Sequence, residues 1–343
     1  MSSIPSKQPL QDIEKLLPFL ACPWDGSALS VSAQALRCAR EHSFELNQGV
    51  PVLLDTSPGK SRERGTSLFE ETSFYFERLH EKRVNEWRVL PFKAQDVQGP
   101  GWLLDVGSGA GTWAVANARR GMPSIGVEIS KEGALFAAQL ARRHGVQNCF
   151  FVAGDAVQLP FRSGAFNWVT NYTAIEHIYD PEKCIAEMAR VLRPEGRLLI
   201  NTINNFSLHF QKGREAWPSF LRHFKRYLGH LFSSSPREAP VFRDPSTVTY
   251  EAWSSGEDVD LYEAVSYELL SLYRRHLRPD HYLTFSYPEH GREFFFGEDL
   301  LPVSRSLSWG KKILYALLRF CNQVPGMRHM GKTITLIGRP LPR

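Results

Sequence analysis

The chain has 343 residues, 43% of them hydrophobic and 22% charged, which is enough for two domains with a buried core and excludes a disordered or fibrous protein. Five cysteines, an odd number in a chain this long, argue against a disulfide scaffold, and no apolar run approaches the length of a membrane span. A net charge of +5 leaves an anionic partner open without demanding one.

The opening stretch MSSIPSKQPLQDIEK has no apolar run behind a basic start, so no signal peptide is expected, and a cytoplasmic protein with reduced thiols is the expectation. A short helix, DIEKLLPFL, comes next. Residues 20–54 alternate short apolar runs with turn signals (WDGS, NQG) and end in VPVLLD. Within them Cys22-x2-Asp25-x12-Cys38-x3-His42 has the spacing of a zinc ribbon, with a carboxylate where a second thiolate is usual. Residues 55–66, DTSPGKSRERGT, lack apolar side chains and read as a linker. An aromatic helical region is expected over 68–92.

From residue 101 strands alternate with helices. WLLDV, SIGVE, CFFVAG, FNWVTN and RLLINTI read as buried strands. TWAVANARRG, SKEGALFAAQLARRHG and PEKCIAEMARVLRPEG read as helices, the second capped by Ser130 and stopped at Gly145. In the third, Pro181 stands near the start and Gly196 just past the end. Such alternation means a doubly wound parallel sheet with right-handed crossovers.

Residues 205–330 break that rhythm. They are aromatic, with a basic patch at 222–226 and an acidic one at 257–263, and read as an insertion covering a site. A helix, WGKKILYALLRF, carries an apolar face of Ile313, Leu314, Leu317, Phe320 and Cys321 opposite Lys311, Lys312 and Arg319. That pattern suits a lid helix first, and weak membrane contact through 309–321 second. After Asp299 there is no acidic residue. The chain ends with KTITLIGRP, a strand that can rejoin the sheet.

LLDVGSGAGT places Gly107, Gly109 and Gly111 at alternate positions directly after a strand. Such a turn lets backbone approach a ligand closely in front of a helix N-terminus. Glu128 ends the next strand, where it can take both hydroxyls of a ribose. The third glycine comes one residue too early for a dinucleotide fingerprint, because Thr112 holds that place.

LLDVGSGAGT, GVEIS, GDAVQLPF and FNWVTNYTAIEHIYDPEKCIAEMARVLRPEGRLLI together resemble the class I S-adenosylmethionine-dependent methyltransferases. The likeness covers about residues 100–203 and falls nearest the ubiquinone, menaquinone and natural-product branch. The resemblance implies an α/β, Rossmann-like fold and S-adenosylmethionine as cofactor. It implies that Asp105, Gly107, Gly109 and Gly111 shape the methionine side of the pocket, and that Glu128 holds the ribose. It further implies that Ile129 packs on the adenine, Asp155 and Ala156 meet its edge, and Asn171 stands beside the sulfonium. His177, titrating near neutrality, is the first candidate for a catalytic base and Glu176 the second. Some quinone-precursor members carry an E-x-x-E-H metal cluster; here Thr173 replaces its first acid. The stretch N-Y-T-A after the fourth strand is not N-P-P-Y, which argues against an exocyclic amine of a base as acceptor.

CPWDGSAL…LRCAREHSFELNQGVPVLL also resembles the small ribbon preceding the catalytic domain of rRNA guanine-N1 methyltransferases. The expected organisation is therefore a zinc-ribbon-like module at 1–56, a linker and helical region at 57–100, a cofactor-binding core at 101–204, a lid at 205–330 and a final strand at 331–343. The ribbon is expected to fold and to hold zinc weakly or not at all through Cys22, Asp25, Cys38 and His42. A small aromatic or lipophilic metabolite is the expected acceptor. An RNA base is the alternative, on the strength of the ribbon and the basic tail, and a non-catalytic scaffold is the third reading.

Overall fold

A computed structural model describes residues 12–32, 35–54, 101–119, 121–206, 216–232, 265–284, 287–289, 292–294, 317, 320–331 and 333–342. The linker and the helix expected over 68–92 lie outside the described residues, as do 233–264 and 295–316.

After α1 (Ile13–Leu16), four strands follow: β1 (Leu29–Ser32), β2 (Ala35–Cys38), β3 (Ser43–Asn47) and β4 (Val50–Leu53). The central part contains β5 (Leu103–Val106), α2 (Thr112–Ala118), β6 (Ser124–Glu128), α3 (Lys131–Arg143), β7 (Cys149–Gly154), β8 (Phe166–Tyr172), α4 (Pro181–Val191) and β9 (Leu192–Ile203). Then come α5 (Ala216–Phe232), α6 (Ser266–His276), β10 (Leu277–Leu283), the small hairpin β11 (Tyr287–Glu289) and β12 (Arg292–Phe294), and finally β13 (Thr333–Pro340).

Eleven strands form one sheet in the order β1-β2-β3-β4-β7-β6-β5-β8-β9-β13-β10. From β4 through β9 each neighbouring pair is parallel; β13 is antiparallel to both β9 and β10. Strands covered on both faces must be apolar throughout, which is why β7, CFFVAG, is buried at every position. One face is covered by α2 and α3 through Ala114, Val115, Ala134, Ala137 and Leu140. A second apolar cluster joins Leu16 and Leu20 to Phe161, Phe166, Met188, Leu269 and Tyr273. Ser130 caps α3 by accepting from the Gly133 N–H at 3.0 Å, and Asp180 caps α4 from Lys183 at 3.0 Å.

Several boundaries differ from the sequence expectation. The N-terminal strands are not a detached module. β4 pairs with β7 in parallel, Val52 beside Ala153 and Leu53 beside Gly154, so the main sheet runs on into the ribbon. The buried run VPVLL supplies a strand for that open edge.

The third helix stops at Val191, not at Gly196. Leu192 is already extended, Arg193 is held out of the helical region by Pro194, and β8 and β9 pair across a bulge between Phe166 and Trp168. Gly196 is kept small for another reason: a Cβ there would stand 2.8 Å from Leu192 and 3.0 Å from two backbone oxygens.

Residues 266–283 do not belong to a lid. They form α6, which packs against α4, and β10, the sheet's far edge strand. The polar sequence LRPDHYL hides this strand, because an edge needs no continuous apolar run and tolerates a proline.

Leu317 and Phe320 are exposed at 55% and 60%, so these two members of the expected lid-helix face do not pack. Phe206, Tyr227 and Tyr267 are buried together beside His329, which makes them core of the C-terminal part. No helix among the described residues is long and apolar enough to cross a membrane.

Candidate functional site

In a parallel sheet, loops at the carboxyl ends of the strands form the natural ligand crevice. The expected cofactor residues lie along that edge: Gly107, Gly109 and Gly111 after β5, Glu128 and Ile129 at the end of β6, Asp155 and Ala156 after β7, and Asn171 near the end of β8.

The turn after β5 is fastened to β6 by bonds from the N–H groups of Gly107 and Ser108 to the Val127 carbonyl, at 2.9 and 3.0 Å. All three glycines have positive φ, 71° at Gly107, 52° at Gly109 and 75° at Gly111. Their surroundings differ. A Cβ on Gly107 would meet Ala174 at 2.6 Å, and one on Gly111 would meet the Phe151 ring at 2.6 Å and Ala137 at 2.8 Å. At Gly109 nothing lies within 4 Å. The outer two glycines are therefore needed for packing, while the middle one faces open space where a ligand can approach.

Glu128 is buried, and its carboxylate accepts from the N–H of Gly109 at 2.8 Å and of Ser130 at 3.2 Å. Burial pushes its pKa up, partly offset by these amides. Asp105 lies inside the sheet and accepts from the Thr170 hydroxyl at 2.8 Å. Burial first, and the nearby Glu128 charge in addition, push Asp105 up to about 7. It thus ties β5 to β8 just before the turn.

Asp155 accepts from the Val157 N–H at 3.0 Å and from the Tyr179 hydroxyl at 3.0 Å. Asn171 donates to the Val106 carbonyl at 3.1 Å and so ties β8 to the start of the glycine turn. Its Oδ1 is buried with no hydrogen-bond partner among the described residues. An orphaned acceptor, an open glycine and a carboxylate at a strand end fit a ligand that brings its own polar groups.

Beyond β8, Thr173 has φ 49°, a strained conformation for a β-branched residue, and its N–H donates to Asn201 at 2.7 Å. The 3-10 turn Ile175–His177 follows. Glu176 turns inward and accepts from the Thr202 hydroxyl at 2.7 Å; burial raises it to about 7. His177 is half-buried at the same strand end. Sequence reasoning missed Thr170, Tyr179 and Thr202. Each is remote in sequence from the acid it binds and carries no local signal.

The ribbon residues also converge. Cys22 Sγ lies 3.4 Å from His42 Nδ1, Cys38 Sγ lies 3.3 Å from that nitrogen and 3.5 Å from Asp25 Oδ2, and Asp25 Oδ2 lies 3.3 Å from His42 Nδ1. Two tight turns present them, one closed from the Gly26 N–H to the Cys22 carbonyl at 2.8 Å and the other from the Cys38 N–H to the His42 carbonyl at 3.1 Å. Ser27 donates to the second carboxylate oxygen of Asp25 through its N–H, at 2.8 Å, and its hydroxyl, which turns Oδ2 towards the cluster and holds the acid below the usual carboxylate range.

Residues 104–200 match a family model described as a methyltransferase domain. A Bacillus subtilis (strain 168) protein named as the uncharacterized methyltransferase YcgJ is 30% identical over 164 residues, 47% of this chain and 62% of that protein. A demethylmenaquinone methyltransferase of Anoxybacillus flavithermus is 27% identical over 184 residues, 51% of this chain and 76% of that one. The norajmaline N-methyltransferase of Rauvolfia serpentina is 36% identical over 100 residues, 29% and 34% of the two chains. The chain thus spans less than two thirds of the Bacillus subtilis relative.

Proposed function

We propose that this chain is a class I S-adenosylmethionine-dependent methyltransferase, a reading supported by the methyltransferase-domain match over 104–200, and that it transfers a methyl group to a small, aromatic or lipophilic metabolite. The observation that carries the reading is the open position at Gly109 beside the buried Glu128 carboxylate, at the carboxyl edge of a parallel sheet. Two relatives are named for the acceptors demethylmenaquinone and norajmaline. That supports a small-molecule acceptor here.

S-adenosylmethionine supplies a methyl group already activated on a sulfonium. The chain's own residues then have to bind, align and exclude water, and most of the catalysis is proximity and orientation. In this reading Gly107, Gly109 and Gly111 let backbone approach the methionine part, and Glu128, each of whose oxygens already accepts one amide, takes the ribose hydroxyls on its remaining lone pairs. Ile129 gives the adenine an apolar wall, while Asp155 and Ala156 address its polar edge. Asn171 offers its unpaired Oδ1 next to the turn. His177 takes the acceptor's proton where the acceptor has one to lose. Glu176, neutral for part of the population near pH 7, anchors the turn to Thr202.

The deciding experiment follows labelled methyl from S-adenosylmethionine into a cell extract separated into RNA and small-molecule fractions. Label in the small-molecule fraction is expected. Label confined to RNA overturns the acceptor class, and no transfer together with no cofactor binding overturns the enzyme reading.

A further inference from the structure

We propose that Cys22, Asp25, Cys38 and His42 hold a divalent ion of the zinc type, and that this ion braces the adenine side of the cofactor pocket. The first half stands on its own geometry. The second rests on the cofactor site proposed above.

Zinc bound by sulfur, nitrogen and oxygen at about 2.0–2.3 Å in a tetrahedron separates its donors by about 3.3–3.8 Å. The closest donor pairs here are 3.3, 3.3, 3.4 and 3.5 Å apart, and all four donors lie within 4.8 Å of one another. Each pair taken alone is at hydrogen-bond or ion-pair distance; what points to an ion is that two thiols, an imidazole and a carboxylate all converge on one spot with the spacing of a tetrahedral set. The set is also oriented from outside. Ser27 occupies one oxygen of Asp25 and leaves the other free to coordinate. The Trp24 ring packs edge-on against the His42 ring, with centroids 4.7 Å apart. The Arg40 guanidinium lies 3.9 Å from Asp25 Oδ2 and offsets the surplus negative charge of two thiolates and a carboxylate around a dication. Binding releases the two thiol protons, so affinity rises with pH.

The sequence suggests that losing a thiolate weakens the site. The structure supplies the compensation: a preset carboxylate on the knuckle turn.

The cluster touches none of the residues assigned to the cofactor, but its turn is stitched to the loop that follows Asp155. The Ala21 N–H, adjacent to Cys22, donates to the Pro160 carbonyl at 3.0 Å, and Leu20 bridges Phe161 as an isolated antiparallel pair. The Arg162 N–H donates to the Phe19 carbonyl at 2.8 Å, and its Nε to the Leu20 carbonyl at 3.1 Å. The Gln158 amide donates to the carbonyl of Pro23, the residue after the first ligand. On the other flank the Lys131 ammonium meets the Glu45 carboxylate at 2.9 Å, just past Ile129 and Ser130. An ion fixing the knuckle therefore fixes both segments that would enclose the adenosine.

The test uses the full chain purified without added metal. Elemental analysis should find zinc near stoichiometric. Replacement by Co(II) should give the ligand-field spectrum of a tetrahedral site with thiolate ligands, lost in Asp25→Ala. Calorimetric titration with S-adenosylhomocysteine should show affinity falling about tenfold after chelation, the scale of one lost buried hydrogen bond, and recovering when zinc is returned. Gln158→Ala, a change at an exposed side chain that bonds the knuckle backbone at Pro23 but supplies no ligand, should keep the metal and still weaken that affinity. Metal-free protein that takes up neither zinc nor Co(II) overturns the site. Bound zinc with affinity unchanged both on chelation and in Gln158→Ala overturns the brace. Zinc-loaded protein that binds no S-adenosylhomocysteine overturns the cofactor reading and the brace with it, while the elemental analysis still decides the metal.

Discussion

The Glu128 carboxylate accepts a hydrogen bond from the Gly109 N–H at 2.8 Å, joining the end of β6 to the middle of the turn after β5. This acid shapes the open turn, and in the proposed reading it also holds the ribose. Glu128→Ala should weaken S-adenosylhomocysteine binding by about 1–3 kcal/mol, the cost of leaving buried donors unpaired. Calorimetry showing unchanged affinity would remove Glu128 from the site.

Asp155 is shared between the Val157 amide and the Tyr179 hydroxyl. Asp155→Ala should cost binding on the same scale, about 1–3 kcal/mol. Tyr179→Phe removes one donor and leaves the carboxylate in place, so it should cost less. If Tyr179→Phe matches the full loss, Tyr179 contacts the cofactor itself.

The glycines separate fold from binding. Gly111→Ala drives a methyl group to within 2.6 Å of the buried Phe151 ring and should destabilise the protein by about 1–3 kcal/mol, as overpacking does. In Gly109→Val the added Cβ meets no neighbour within 4 Å, so its effect on thermal unfolding should be the smaller one, arising mainly from the strain at φ 52°. Its cofactor binding should vanish. A Gly109→Val protein that still binds would show that the ligand does not approach this turn.

His177→Ala should lower turnover by about 10²–10⁴-fold if the side chain takes the acceptor's proton, with cofactor affinity nearly unchanged. Full activity across pH 6 to 9 would end the base assignment. In that case the turn serves to hold Glu176.

Glu176 makes a stability prediction with a definite sign. Its pKa rises from 4.5 to about 7 on folding, so the folded state favours the protonated form. Its contribution is fully present below pH 4.5 and is lost as the pH rises through 7. The loss is of order 3 kcal/mol. Glu176→Gln keeps a neutral partner for Thr202 and should therefore unfold at a higher temperature than the parent at pH 8, with the difference shrinking at pH 5. Asp105, raised by the same cause, keeps part of the slope in both proteins. A difference in unfolding temperature that does not change with pH would mean that Glu176 is not buried.

The core's periodicity was readable because short buried strands and capped helices mark their own ends. Ser130 and Asp180 each cap a helix through a side chain that reaches only three residues ahead. The glycine turn was readable for the same reason, since its function resides in local backbone shape. Thr170 under Asp105, Tyr179 on Asp155 and Thr202 on Glu176 were not readable. Each lies between 24 and 65 residues from its partner, and a lone hydroxyl looks the same in a core as on a surface.

The sequence by itself determined the alternating α/β core, the glycine turn and the spacing of the four ribbon residues, all of which depend on interactions within about one turn or strand. Tertiary structure alone decided that β4 joins the main sheet through β7 and that the polar segment LRPDHYL closes its far edge. It also decided that Asp25 turns one oxygen towards two thiols and an imidazole. The physical reason is common to all three. Strand pairing and ligand convergence are set by which backbone edges and side chains meet after the chain has closed long loops, and no local pattern of hydrophobicity encodes that meeting.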